Sequence, residues 1–411
     1  MSHPAPPSRA RTARIAVSAL FFVNGAGFAS ILPRLPAIKE SLGLSNAELG
    51  LAIAAMPVGG LLAGGVVGLL IARFGSGRTA AVAGTATALA LAGVGLAPSW
   101  AVLALAYLVL GAFDATMDAT MNAHGLGVER QYGRSILQGF HGTWSAGSMT
   151  GGAVGAIAAV GGVPVPVQVV LVAPVLAAIV IVASRWLLPA RIADSHPPGD
   201  AAEESIHVRN APRLLRVLGP IAMLGILCAL LQSTAATWSA IFLAEVMQTS
   251  AGIAAIAFVV YMASMTLGRL TNDRWIDRFG GVPVVRAGAL IGAAGVGTVI
   301  AAGLLGAAPL AFAGFAAIGI GSSPMFPVMI GAAGTRPGIP AGHGVALTSW
   351  LIRLGFIFVP AIMGIAADAV GLGAAFLIPL VAALAIAVLA VPLTGGTARR
   401  ETGPAAAPAV G

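Results

Sequence analysis

Twelve long apolar runs constrain the fold of this 411-residue chain more than any other feature. Each run approaches the roughly 20 residues that an α-helix needs to cross the hydrocarbon core of a bilayer. Only 9% of the residues are charged, whereas about a quarter are charged in soluble domains. The sequence therefore predicts an all-α polytopic membrane protein with 12 transmembrane helices. The runs lie at about 15–35, 46–72, 78–97, 100–123, 136–160, 165–188, 217–243, 252–272, 283–305, 309–331, 342–367 and 372–394.

A polar stretch between the sixth and seventh runs divides the chain into two halves of six runs each. If the N-terminus is cytoplasmic, 18 arginines fall on the cytoplasmic side and only Arg34 and Lys39 fall on the other side. Since cytoplasmic loops are enriched in basic residues, we expect both tails and the linker in the cytoplasm. The predicted segments are an N-terminal tail at 1–14, a six-helix bundle at 15–188, a linker at 189–216, a second six-helix bundle at 217–394 and a C-terminal tail at 395–411.

Short repeats relate the two halves. Arg73, Phe74 and Gly75 follow the second run, and the same three residue types recur at 278–280 after the eighth run. Because six runs separate the copies, the repeats point the same way across the membrane. This arrangement is typical of two parallel, pseudo-symmetric six-helix bundles with a binding site between them.

A polar stripe crosses the fourth apolar run. Asp114, Asp118 and Asn122 are spaced by four residues and so share one face of a helix. An ionisable side chain at membrane depth is costly unless it faces protein or water, so the stripe is a candidate functional site. Burial and a neighbouring like charge both disfavour the ionised form, and at least one of the carboxylates is expected to exchange a proton with a cavity.

Arg353, in the eleventh run, is a candidate counter-charge for this stripe because its guanidinium does not lose its proton. An ion pair with either aspartate that breaks during the transport cycle would couple protonation to a conformational change. The alternatives are that Arg353 extends to the membrane surface or binds a substrate anion directly. The sequence leaves these readings open.

The loop after the second run resembles the signature of the major facilitator superfamily, with Gly68, Arg73, Gly75 and Arg78 in matching places and Ala72 where the signature has an aspartate. The resemblance covers roughly residues 10–395 and implies two six-helix halves with alternating access. An aspartate beside an arginine at a helix end can form a charge-assisted latch. We expect the latch to be stronger around Asp277 than around Ala72. The candidate latch residues are Arg73, Gly75, Arg78, Glu129, Arg130, Arg134, Arg269, Asp273, Asp277, Arg278 and Gly280.

Within that superfamily, the motif from Asp118 to Asn122 is similar to the fucose-permease-like branch of bacterial inner-membrane proteins. Residues 137–142 and 325–327 also resemble this branch. The resemblance implies a proton-coupling role for Asp118 and a multi-pass protein of the bacterial inner membrane. It also implies a small-molecule substrate.

Further candidates are polar or aromatic side chains on other runs. His141 could relay protons, because histidine ordinarily titrates near physiological pH, or could be a packing residue. Trp238 could stack on a solute or lie at the membrane interface. Two glycine stripes, one at positions 60, 64 and 68 and one at 147, 151 and 155, predict close helix packing. The full set of predicted cavity residues is Asn24, Asn122, Gln232, Thr234, Trp238, Tyr261, Phe326 and Arg353.

Other classes of protein are disfavoured by the motifs that the sequence lacks. It contains no phosphate-binding Gly-Lys-Ser/Thr loop, and Cys228 is its single cysteine. We expect no enzyme activity, no cofactor, no metal site and no nucleic-acid partner, with the proton gradient as energy source and a monomer in the bilayer. Uptake of a sugar-like or other polar solute is favoured slightly over efflux of an amphipathic compound. A membrane receptor that keeps the fold without transport is the third hypothesis.

Overall fold

The computed structural model describes residues 8–133, 136–194, 211–337, 339 and 341–393. Within these ranges every regular element is helical, including short 3-10 turns at Leu32–Arg34 and Val391–Leu393. The α-helices are α1 (Ser8–Ala29), α2 (Leu35–Leu42), α3 (Asn46–Phe74), α4 (Ser76–Gly95), α5 (Trp100–Tyr132), α6 (Leu137–Val160), α7 (Val165–Ser184), α8 (Ala190–Ala193), α9 (Ala211–Glu245), α10 (Ala251–Phe279), α11 (Gly281–Leu305), α12 (Ala308–Ser322), α13 (Met325–Gly334), α14 (Ala341–Val370), α15 (Leu372–Ala375) and α16 (Leu377–Leu389).

The predicted 12 crossings are confirmed as a fold of two six-helix bundles. Ten segments of the described chain are long and apolar enough to span a membrane. The other two crossings are α4 and α6, of 20 and 24 residues, which are rich in glycine, serine and threonine and therefore less apolar. The described residues leave out half of the predicted N-terminal tail, most of the linker and the whole C-terminal tail, so these segment boundaries stay predictions. Helix α1 begins at Ser8, within the predicted N-terminal tail.

Three crossings are interrupted where the sequence suggested continuous helices. The first crossing continues through a turn at Leu32–Arg34 into α2, the tenth divides at Ser323 and Pro324, and the twelfth divides at Phe376. Prolines explain the first two breaks, because a proline ring removes a backbone N–H and clashes with the preceding turn.

The loops after α3 and α10 share one conformation, as the repeat predicts. Arg73 lies over the Phe74 ring at 5.5 Å from its centroid, and Arg278 lies over the Phe279 ring at 5.3 Å. Gly75 and Gly280 then take φ angles of 82° and 83°, a left-handed region that glycine enters without steric cost. The two halves are therefore related in backbone geometry as well as in sequence.

The glycine stripe of α6 packs against α1. A Cβ added to Gly147 would lie 2.1 Å from the carbonyl oxygen of Phe22, and one added to Gly151 would lie 2.2 Å from that of Ala26. The predicted stripe on α3 is wrong in part. Gly60 approaches Ala115 of α5, but a Cβ added to Gly64 or Gly68 would meet no atom within 4 Å.

The two halves meet at the end of the molecule where α3 begins, which we call the Asn46 end. There the carboxylate of Asp368 accepts hydrogen bonds from the backbone N–H groups of Asn46 at 3.0 Å and Ala47 at 2.8 Å. Lys39 forms an ion pair with Glu245. A Cβ added to Gly50 of α3 would lie 2.2 Å from a carbonyl oxygen of α14.

The opposite end, where α3 finishes at Phe74, is open between the halves. Along the last turns of α3, Leu62, Val66 and Leu69 are 67%, 48% and 72% exposed, and Gly64 and Gly68 have no neighbour. A central cavity therefore opens toward the Phe74 end and is closed at the Asn46 end.

Candidate functional site

Asp118 and Arg353 meet across the central cavity. Arg353 Nη2 of α14 lies 3.7 Å from Asp118 Oδ2 of α5, and their side chains are 54% and 40% exposed. Asn122, one turn beyond Asp118, donates from Nδ2 to Asp118 Oδ1 at 3.1 Å. The rise of an α-helix puts Asp118 about 27 Å along a helix of about 48 Å. The ion pair therefore joins the two halves near the middle of the crossing.

Asp114, one turn away from Asp118 on the same helix, has only neutral hydrogen-bond partners. Asn24 of α1 donates from Nδ2 to Asp114 Oδ1 at 2.8 Å, and Trp144 Nε1 of α6 donates to Asn24 Oδ1 at 2.9 Å. This network connects three helices of the first half. Trp144 was not predicted from the sequence, although its place three residues after His141 on the same apolar run was an available signal.

His141 and Arg269 belong to the same cavity. His141 is exposed, packs edge-on against Phe21 at 5.3 Å between ring centroids, and interacts electrostatically with Asp118 of its own half and Arg269 of the other half. The sequence pattern had grouped Arg269 with the predicted latch residues. Arg269 interacts instead with Tyr261 and Cys228, deeper in the second half.

The predicted cavity residues of α9 and α10 lie inside the second half. Gln232 donates to the carbonyl oxygen of Ser322 at 3.0 Å, and the Tyr261 hydroxyl donates to the carbonyl oxygen of Gln232 at 3.3 Å. Thr234 and Trp238 are 1% and 0% exposed. These four side chains therefore do not line the open cavity, because the faces of α9 and α10 that carry them pack within their own bundle. Phe326 is half-buried and stacks on the ring of Phe356 at 6.0 Å.

The Phe74 end carries most of the predicted latch residues on exposed positions. Among the described residues no ion pair joins Asp273 or Asp277 to an arginine, and Arg73, Arg78 and Arg278 are exposed. Arg134 lies outside the described residues. With the cavity open at this end, the latch stays a prediction for another conformation.

A hydrogen-bonded cluster in the first half holds the Phe74 end together. Asp194 accepts from the backbone N–H of Ser76 at 3.0 Å, and Arg130 donates to the carbonyl oxygen of Ala193 at 2.7 Å. His124, which is fully buried, contacts the Ser76 hydroxyl through Nδ1 at 2.9 Å and accepts the Leu188 N–H through Nε2 at 3.1 Å. Because Nε2 accepts, Nδ1 carries the proton and donates to Ser76.

Glu129 also stabilises the Phe74 end of the first half through hydrogen bonds to the backbone. Its carboxylate accepts the backbone N–H groups of Ile136 at 2.7 Å and Leu137 at 2.8 Å, where α6 begins. A carboxylate at a helix N-terminus is favoured by the unpaired N–H groups and the helix dipole. Glu129, Asp194 and His124 therefore stabilise the first half, and the last two were not predicted from the sequence.

The whole arrangement suits the binding and release of a solute more than covalent chemistry. Among the described residues no group of three or more His, Cys, Asp or Glu side chains is placed to hold a metal ion. Ionisable groups from both halves face one cavity that is closed at one end. Such an arrangement is typical of a membrane transporter whose binding site lies between two helix bundles.

Comparisons with known proteins agree with this class. Residues 17–338 match the Major Facilitator Superfamily. An uncharacterized MFS-type transporter of Yersinia pestis is 29% identical over 360 residues, which are 87% of this chain and 89% of that protein.

Solved structures share the fold at low sequence identity. The nucleoside transporter NupG matches with a TM-score of 0.75 and 14% identity, over 93% of this chain and 98% of that one. The fucose:proton symporter FucP of E. coli matches with a TM-score of 0.61 and 17% identity, over 92% of this chain and 97% of that one.

The chain therefore belongs to the Major Facilitator Superfamily, as the resemblance in its sequence implied. It is a multi-pass membrane transporter rather than an enzyme.

Proposed function

We propose that the protein is a proton-coupled secondary transporter of a small polar solute that works by alternating access between its two halves. The ion pair between Asp118 and Arg353 is the observation that carries this proposal, because it connects an acid of one half to a fixed cation of the other half. A proton that binds a carboxylate oxygen of Asp118 removes the negative partner of Arg353. The relative stability of conformations that keep or break this contact then depends on protonation.

The size of this effect is moderate. Two unit charges about 4 Å apart attract by about 1 kcal/mol in water and by about 4 kcal/mol at an effective dielectric constant of 20. Because both side chains are half-exposed, the lower figure is the better guide. A change of about 1 kcal/mol shifts a conformational equilibrium by about fivefold, which is enough to bias a cycle without locking it in one state.

Asp114 supports the proposal as a second acid of the same cavity. The neutral amide of Asn24 donates a hydrogen bond to Asp114, whereas the cation Arg353 lies 3.7 Å from Asp118. The ionised form of Asp114 is therefore stabilised less directly by a cation than that of Asp118. His141 lies beside both halves and is a candidate proton relay between the cavity mouth and these acids. The fucose:proton symporter FucP, which shares this fold, supports a proposal of the same coupling in this chain.

The orientation follows from the distribution of arginines. The topology predicted from the sequence assigns 18 of the 22 basic residues to the side on which α3 ends at Phe74, so this end faces the cytoplasm if the protein obeys the rule that basic loops stay inside. In that orientation both termini are cytoplasmic, and the cavity is open to the cytoplasm. We propose the bacterial inner membrane as its location and a monomer without a bound cofactor as its working form.

Transport by purified protein in sealed vesicles tests the function. An imposed pH gradient should drive accumulation of a polar solute, and collapse of the gradient with a protonophore should abolish it. Solute movement in the direction of the protons indicates symport, and movement against them indicates efflux by antiport. If ligands bind but none moves under any gradient, the protein is a receptor and the proposal fails.

A further inference from the structure

Arg269 is a cation of the central cavity without an anionic partner. Among the described residues no carboxylate lies within 4 Å of its guanidinium, and no hydrogen bond joins it to an acceptor there. Its side chain is half-buried. Asp273, four residues further along α10 and so on the same helical face, makes no ion pair with it. Arg269 is therefore not paired with the acid that lies one turn away on its own helix.

The groups that face Arg269 are neutral or already engaged. It interacts electrostatically with Tyr261 and Cys228 of the second half and with His141 of the first half. Asp118, the carboxylate that His141 also faces, is bound to Arg353 and Asn122. Asp114 accepts from Asn24. Two arginines of the second half thus meet two aspartates of the first half in the cavity, but of the two arginines only Arg353 is in contact with a carboxylate among the described residues.

The charge balance becomes more positive when a proton is bound. Arginine stays charged at every physiological pH, whereas an aspartate at this depth can be neutralised by protonation. A proton on Asp118 frees Arg353, so that neither guanidinium group is then in contact with a carboxylate and Asp114 is the remaining acid beside them. Both guanidinium groups are partly exposed, so an anion that enters the cavity can reach them and form charge-assisted hydrogen bonds with their N–H groups.

We propose that the transported solute is a small organic anion whose carboxylate or phosphate group binds between Arg269 and Arg353. This inference rests on the proposed transport function and names the substrate class of that site. Arginine suits the role, because its planar fork of N–H groups matches the oxygens of a carboxylate or phosphate. The proton goes to a carboxylate oxygen of Asp118 and the anion takes the place of that carboxylate beside Arg353, so one proton and one monovalent anion cross together without net charge.

Binding to matched ligands tests the proposal. The purified protein in detergent and chloride-poor buffer is heated with sets of similar size and different charge: glucuronate, glucose and glucosamine; lactate, propanediol and amino-propanol; glycerol phosphate and glycerol. At least one carboxylate or phosphate should raise the unfolding temperature while its neutral and cationic counterparts do not. Stabilisation by neutral or cationic members alone, or by none of the anions, overturns the proposal.

Two variants of α10 locate the anion. Arg269→Gln should weaken binding of the stabilising anion by about ten- to a hundredfold, the loss expected for a hydrogen-bonded charge pair. Arg274→Gln is the matched control, because Arg274 is an exposed arginine on the same helix, and it should leave the affinity unchanged. Equal affinities of Arg269→Gln and the wild type would remove Arg269 from the site and overturn the proposal.

The binding and vesicle experiments together distinguish the proposed anion site from the proposed proton-coupled transport. If vesicles accumulate a neutral or cationic solute under a pH gradient, the transport function stands and the anion site is wrong. If anions bind with the predicted dependence on Arg269 but no gradient drives their movement, the anion site stands and the proton-coupled function is wrong.

Discussion

Replacing Asp368 by alanine is expected to open the Asn46 end of the transporter. Asp368, near the end of α14, accepts hydrogen bonds from the backbone N–H groups of Asn46 at 3.0 Å and Ala47 at 2.8 Å. These N–H groups belong to the first turn of α3, where a helix has no internal acceptors for them. The contact joins the two halves, and alternating access requires it to break when the Asn46 end opens.

The magnitude follows from the number and kind of these bonds. A hydrogen bond to a charged group contributes about 1.5–3 kcal/mol when buried. Because Asp368 is exposed, water replaces part of that energy in the open state, and we expect about 2 kcal/mol for both bonds together. This energy corresponds to a shift of about 30-fold in the equilibrium between the two conformations.

Distance measurements between spin labels can detect this shift. Labels on cysteines introduced at the exposed positions Ser41 and Ala374 report on the separation of the halves, and the single native cysteine, Cys228, is buried. The long-distance population should grow in Asp368→Ala and stay at the wild-type level in Glu40→Ala, which removes an exposed acid at the same end. Unchanged distances in Asp368→Ala would show that this contact does not hold the Asn46 end closed.

Three further predictions concern the site and the helix packing. Arg353→Ala should lower transport more than Arg353→Lys, which keeps the charge; near-wild-type rates in both variants would remove Arg353 from the mechanism. Gly64→Leu should obstruct closure of the Phe74 end and so slow transport in vesicles. The control variant Gly297→Leu, on α11, should be tolerated, because Gly297 also has no atom within 4 Å of an added Cβ. Equal transport rates in the two variants would contradict a role of α3 in closing the Phe74 end. Gly151→Ala should lower the free energy of unfolding by about 1–3 kcal/mol, since its Cβ would lie 2.2 Å from the carbonyl oxygen of Ala26; an unchanged thermal unfolding midpoint would count against this packing.

The crossings and the pseudo-symmetry could be predicted because they depend on local properties of the chain. Hydrophobic length decides whether a segment crosses the bilayer, and the repeated Arg-Phe-Gly loop reflects one backbone conformation used twice. The breaks at Ser323 and Phe376 were missed, because the apolar pattern continues through them.

The cavity residues were harder to predict, because the sequence does not state which face of a helix turns toward the other bundle. The four-residue spacing found Asp114, Asp118 and Asn122 on one face of α5, and the structure brings Asp118 to Arg353. Trp238 and Thr234 were predicted from their side-chain chemistry alone, and both are fully packed within the second half. Arg269 was grouped with the latch residues because it precedes the loop signature at Asp277, whereas it interacts electrostatically with Tyr261 and His141.

Proton-driven transport by Asp118→Asn tests the central claim most directly. The variant keeps the size of the side chain and removes its ability to exchange a proton, so a pH gradient should no longer drive accumulation, while exchange of labelled for unlabelled solute continues. Glu40→Gln, which changes an exposed acid outside the cavity, should transport as the wild type does. Undiminished pH-driven accumulation in Asp118→Asn would contradict the account, because the proton would then bind elsewhere.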